Sequence, residues 1–122
     1  MIRNPYQKYQ RSMVETVTPP QLVLMLYNGA IRFLKQAQAG LEQQQLESCH
    51  HHILKTQDIL TELMSTLDLN QGQIAENLYQ LYDYMYSRLI EANIRKDSQP
   101  LQEVEQLLSE LRDTWTEAIK LA

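Results

Sequence analysis

Three consecutive histidines, His50, His51 and His52, are the side chains in this 122-residue chain that most invite a chemical role. On a helix, however, successive residues point about 100° apart, so the three imidazoles cannot converge on one metal ion. A di-iron centre of the helical-bundle type needs two Glu-x-x-His motifs and two further glutamates. Glu47 to His50 is the only such pair, and these are all the histidines present. No metal is expected. The glycines, Gly29, Gly40 and Gly72, are too scattered to form a phosphate-cradling loop, and no Ser/His/Asp set stands out. Cys49, the lone cysteine, falls on an apolar helical seam and reads as a small buried hydrophobe. The chain is therefore read as a non-enzyme without a cofactor.

Composition narrows the remaining classes. A net charge of -4 argues against a general nucleic-acid binder, which would carry a basic face. No apolar stretch approaches the roughly 20 residues that cross a bilayer, so membrane insertion is not expected. One cysteine and no secretory n-region and h-region at the start point to a reducing, cytoplasmic compartment. Charge is also uneven along the chain. Residues 1–17 carry Arg3, Lys8 and Arg11 against Glu15, whereas residues 97–122 carry Asp97, Glu103, Glu105, Glu110, Asp113 and Glu117 against Arg112 and Lys120. A basic N-terminal segment could lie on an acidic surface of its own domain, although two ordinary solvated faces would look the same.

The elements that must position any site are helical. Thr18 with Gln21 fits a capping box and a proline suits the first turn, so a first helix is expected from about Pro19 to Gln43. Its stretch Leu22 to Tyr27 is apolar around the whole circumference and needs cover on every side. Gly40 and the glutamines after it leave the end of that helix open by several residues. In a second helix Leu46, Cys49, Ile53, Thr56, Leu60, Leu63 and Leu67 follow one another at spacings of 3 and 4, the seam of a bundle helix. Turn residues Asp68 to Gly72 precede a third helix, and Lys96 to Gln99 precede a fourth, in which Pro100 is expected at the first helical position. Leu101, Val104, Leu108, Leu111, Trp115 and Ala118 give the fourth helix its seam. Short connections and no strand signal predict an all-α antiparallel four-helix bundle over residues 18–122. Residues 1–17 are expected to form a separate mobile segment, at most a short helix bearing Tyr6, Tyr9, Met13 and Val14, because isolated helices of that length are marginal in water.

The third helix carries two stripes. Ile74, Leu78, Leu81, Met85 and Ala92 form one, and Tyr79, Tyr82, Tyr86, Leu89 and Asn93 form another, rotated by about 100°. One stripe attaches a helix to a bundle. The second either faces another neighbour or lines a groove, where tyrosine rings offer contact area and hydroxyls meet water or a partner. Leu22, Leu26 and Tyr27 of the first helix, with Tyr79, Tyr82, Tyr86 and Leu89 of the third, are the groove candidates on this argument.

Four blocks in sequence order carry a family resemblance. Asn4-Pro5-Tyr6 with Tyr9, then Thr18-Pro19 and Leu24-Met25-Leu26-Tyr27-Asn28-Gly29, resemble the N-terminal half of the bacterial flagellar secretion chaperone family FliS. Lys55 to Leu63 is similar to its second helix, and the resemblance continues through Leu81 to Asn93 and Glu103-Val104-Glu105 to end near Leu111 to Trp115. The resemblance implies a cytoplasmic export chaperone that binds the C-terminal segment of flagellin, prevents premature polymerisation and aids delivery to the flagellar type III export apparatus. It also implies that Tyr6 and Tyr9 cover apolar surface or touch the export gate, and it leaves room for a homodimer. The histidine cluster is not part of that pattern.

A second reading is a histidine phosphotransfer domain. His52-Ile53-Leu54-Lys55 resembles the phospho-acceptor run of that family, also a four-helix bundle of this length, but Thr56 stands where the family usually has a small residue.

Overall fold

The computed structural model describes residues 19–121. Four helices follow in order: α1 (Pro19–Glu42), α2 (Leu46–Ser65), α3 (Gln73–Arg95) and α4 (Ser98–Leu121), with a single 3-10 turn, Leu69–Gln71, before α3. There is no strand among the described residues. Thr18, Tyr6, Tyr9 and the rest of residues 1–18 lie outside the described residues, as does the division of the chain at residue 17.

Each helix packs on two neighbours, giving a ring in which α1 touches α2 and α4, and α3 touches the same two. Short loops make successive helices antiparallel. Gly29 faces Ile59 and Gly40 faces Cys49, so residue numbers rise along α1 as they fall along α2. The core lies along the axis. Tyr27, Ala30, Leu34 and Ala37 from α1, and Cys49, Ile53, Thr56, Leu60 and Leu63 from α2, are fully buried, matching the seam spacing of 3 and 4. Leu101, Val104 and Leu108 complete it from α4, while Leu111 and Trp115 are half-buried and Ala118 is exposed.

Helix ends show how local chemistry replaces the expected punctuation. Gly40 does not stop α1: a Cβ there would stand 3.0 Å from the Cys49 backbone nitrogen, so the glycine permits close approach of α2. The stop comes at Gln44, whose φ of 57° lets the Gln45 N–H reach back to the Gly40 carbonyl at 2.7 Å. This six-to-one bond satisfies a carbonyl left over at the helix end. Lys96 repeats the device at the end of α3, with φ of 50° and the Asp97 N–H donating to the Ala92 carbonyl at 3.2 Å. Asp97 then caps α4, its carboxylate accepting from the Gln99 N–H at 3.0 Å. Pro100 is therefore the third residue of α4 rather than the first, a position whose N–H also lacks an intrahelical partner.

A polar clamp joins α3 to α4 on the outside. Glu103 accepts from Arg88 Nε at 2.7 Å and from the Tyr84 hydroxyl at 2.7 Å, and Arg88 also donates to Glu91 at 2.6 Å. The Arg88 guanidinium, and after it the Tyr84 hydroxyl, hold the Glu103 carboxyl below the usual carboxylate range. A carboxyl whose folded pKa is depressed adds stability that is complete above its unfolded pKa and lost as pH falls through the folded one. Glu103→Gln should therefore lower the melting temperature slightly at neutral pH and not at strongly acidic pH. Parallel melts of the two proteins across that range check this, and the effect stays small because solvent screens the group.

Candidate functional site: the α2–α3 seam and the open end of the bundle

The two stripes expected on α3 are one. Ala75, Leu78, Tyr82, Met85, Leu89 and Ala92, again at spacings of 3 and 4, form the core face, all buried except the half-buried Leu78. Tyr82 and Leu89, expected in a groove, thus lie in the core, and so does Tyr27. A tyrosine can occupy the core when its hydroxyl has a partner, and here the two phenols satisfy each other. The Tyr27 and Tyr82 hydroxyls lie 2.5 Å apart across the diagonal of the ring, with the Trp115 indole 6.4 Å from the Tyr27 ring. Burial pushes both phenols above their ordinary pKa. Ile74, expected on the core stripe, is 77% exposed because Ala75 takes the inward position.

Tyr79 and Tyr86 lie elsewhere. Tyr79 is 39% exposed, and Tyr86 packs half-buried against the core. Both stand where α3 runs beside α2, and the register there is fixed by one bond, Asn93 Nδ2 to His50 Nδ1 at 2.7 Å. The Lys96 ammonium donates to Asn93 Oδ1, which leaves the amide nitrogen to donate and makes His50 Nδ1 the acceptor. Two turns along, seven residues on each helix, the same seam positions hold Gln57 and Tyr86; two more turns bring Met64 and Tyr79. Leu54, four residues after His50, and Ile90, three residues before Asn93, are each 44% exposed. The contacts of α3 with α2 and with α4 are both sparser than the α1–α2 contact, where Gly40 lets the backbones close up.

Sequence reasoning singled out Tyr79 and Tyr86, which lie on this side of α3, and did not single out Gln57, Leu54 or Ile90. The signal was His50, Gln57 and Met64 at spacings of seven, a second row beside the apolar seam of α2.

Leu22 and Leu26, the remaining α1 candidates, are half-buried. Leu22 lines an apolar pocket of about 170 Å³ at the end of the bundle where α1 begins, together with Pro20, Val23, Leu67, Tyr82 and Trp115. Leu26 packs against the core. Met25 on the same helix is 46% exposed, so among the described residues the apolar run of α1 is not covered on every side.

The histidines do not meet. His50 is tied to Asn93, His52 Nδ1 lies 2.8 Å from the Ser48 carbonyl, and the His51 ring stands edge-on to that of His52. No group of three or more His, Cys, Asp or Glu side chains among the described residues could hold a metal ion.

Among the described residues the protein is an all-α bundle with exposed apolar side chains Leu54, Tyr79 and Ile90 on α2 and α3 and an apolar pocket at one end. The family described as "Flagellar protein FliS" matches residues 2–122. "Flagellar secretion chaperone FliS" of Bacillus subtilis (strain 168) is 41% identical over 119 residues, covering 98% of this chain and 89% of that protein. Its Salmonella typhimurium namesake is 41% identical over 106 residues, covering 85% of this chain and 78% of that one. A solved structure described as "Crystal structure of flagellar chaperone from bacteria" superposes with a TM-score of 0.81 at 20% identity, covering 98% of this chain and 100% of the other. The chain belongs to the FliS family. Membership in a chaperone family sets aside the phosphotransfer reading. No helix among the described residues is long and apolar enough to cross a membrane.

Proposed function

We propose that this chain is a cytoplasmic export chaperone that holds the C-terminal segment of flagellin, keeps it from polymerising early and hands it to the flagellar type III export apparatus. The observation that carries this reading is the half-open seam of Leu54, Tyr86, Ile90 and Tyr79 in a bundle of the FliS family. A filament subunit's terminal segment is amphipathic and would otherwise pair with other subunits. The seam offers its apolar face a substitute, with tyrosines supplying broad contact and a polar tip. Wrapping of a disordered segment buries on the order of 1,000 to 3,000 Å² and loses about 2–5 kcal/mol to ordering. The complex is then specific yet releasable, and the scheme requires no nucleotide and no catalysis.

Residues 1–17 complete the mechanism as a cover that competes with flagellin for apolar surface, with Tyr6 and Tyr9 also available to the export gate. The end pocket beside Leu22 opens where that segment joins α1. When cover and ligand compete, apparent affinity falls by the fraction of molecules that are open. Coexpression followed by pull-down should retain flagellin and lose it when its C-terminal segment is removed. Deleting residues 1–15 should raise affinity or association rate and promote aggregation through exposed apolar surface. Amides of residues 6–14 should lose protection from hydrogen exchange when flagellin binds. Retention of the truncated flagellin would sink the chaperone reading, and increased protection at residues 6–14 would make the segment a clamp.

A further inference from the structure

The first half of α3 hangs on one large side chain. Among residues 66–83 only Ala75 and Tyr82 are buried, and Ala75 brings a single methyl group. Tyr82 therefore anchors this stretch, by its ring and by the bond between its hydroxyl and that of Tyr27. Every other side-chain hydrogen bond that these residues make among the described ones is local. The Thr66 hydroxyl donates to the Leu63 carbonyl, Asp68 accepts from Asn70 and Gln71, and the Gln73 amide donates to Asn77. Polar ties to the flanking helices begin at Tyr84, which donates to Glu103 of α4, and continue through Arg88 to Glu103 and Asn93 to His50.

The chain leading into this stretch is as slack as its packing. Residues 66–72 join α2 to α3, whereas Lys96 and Asp97 alone join α3 to α4. Gly72 enters α3 with φ of 99° and without a side-chain cap, and a Cβ built on it would meet nothing within 4 Å. No neighbour holds the backbone there, and a glycine at positive φ regains many conformations once released. A stretch with few buried contacts opens at a smaller free energy than the core beside it.

We infer that residues 66–83 form a gate, a unit that opens by local unfolding while α1, α2, α4 and the second half of α3 stay folded, with the Tyr27–Tyr82 bond as its latch. Thr66, Leu67 and Tyr82 are walls of the apolar pocket at the start of α1, shared with Leu22 and Trp115. Opening the gate takes away those walls together and turns the pocket into an open apolar face. Water repays most of a hydrogen bond that opening breaks, so the latch fixes the closed geometry at small cost to the opening. No client is required for this motion, and its test leaves the chaperone reading untouched.

The experiment is residue-resolved hydrogen exchange of the full chain without client, in low and rising denaturant, with intrinsic rates divided out. Amides of residues 77–83 should share one opening equilibrium and exchange about tenfold or more faster than those of residues 88–92. Tyr82→Phe should speed exchange at 77–83 by about tenfold, because only the closed state then holds a buried Tyr27 hydroxyl without its partner. Asn93→Ala breaks the tie to His50 beyond the gate, so it should speed exchange at 88–92 and leave 77–83 unchanged. Equal protection along the whole of α3 would overturn the gate. So would protection that climbs smoothly from residue 77 to 92, the signature of ordinary fraying. Acceleration at 77–83 by Asn93→Ala would mean that α3 opens as one piece, and unchanged exchange there in Tyr82→Phe would remove the latch; either result overturns the inference.

Discussion

Tyr82→Ala should destabilise the free bundle by about 3–5 kcal/mol, the range for truncating a buried aromatic, whereas Tyr79→Ala, one turn away on the same helix, should cost about 0.5 kcal/mol. The difference follows from position. Tyr82 is 1% exposed and bonded to Tyr27 across the core, while Tyr79 is 39% exposed on the α2–α3 seam. Removing the Tyr82 ring leaves both a cavity and a Tyr27 hydroxyl without its partner, two costs that add. Flagellin binding should show the reverse order once each protein is kept below its melting temperature. Tyr79→Ala, and Tyr86→Ala with it, should weaken the complex about tenfold or more, as aromatic anchors do. Denaturant unfolding gives the first quantity and calorimetric titration the second. Equal stability losses at Tyr79 and Tyr82 would return Tyr79 to the core.

Gly40→Ala should cost about 1–2 kcal/mol although alanine is the better helix former. Its Cβ would meet backbone atoms, Cys49 N at 3.0 Å and Gln45 O at 3.2 Å. Neither can rotate away, so α1 and α2 must separate or the connecting loop must shift. Overpacking of this kind costs about 1–3 kcal/mol, and helix propensity returns at most about 1 kcal/mol of it. Gly29→Ala is the control. There the nearest atom is Ile59 Cδ1 at 3.3 Å, the end of a side chain that can give way, so the propensity gain should leave this variant neutral or slightly more stable. Chemical denaturation of the two variants measures the contrast. A stabilised Gly40→Ala would mean that the α1–α2 loop yields more easily than its hydrogen bonds imply.

Periodicity carried the fold into view because bundle helices repeat their inward positions at 3 and 4. Of the expected α2 seam, Cys49, Ile53, Thr56, Leu60 and Leu63 lie in the core as their spacing requires, while Leu67 is half-buried and Leu46, in the first turn of the helix, is 49% exposed. Helix ends were less legible, since Gln44 and Lys96 adopt left-handed backbone without being glycine, and nothing in their residue types announces it. The site was half legible. Tyr79 and Tyr86 stood out as surplus aromatics, but tyrosine identity does not tell a core ring from a seam ring. What moved Tyr27 and Tyr82 inside was a mutual hydrogen bond between residues 55 positions apart. Leu89 went with them through Ala75, a small residue that shifted the core face away from Ile74. Gln57 looked like one more solvated glutamine, and only its depth sets it apart.

Cys49 is the sole thiol in the chain, fully buried next to Gly40, and burial pushes its pKa up. An alkylating reagent can reach such a sulfur only while the helices around it part. The chain therefore carries its own stopwatch. In the limit of fast alkylation, the rate of modification equals the rate at which α1 lifts from α2, with no label introduced and no competing site to subtract. Timed with and without a bound segment, it would tell whether a client is released by a bundle that breathes or from one that stays shut.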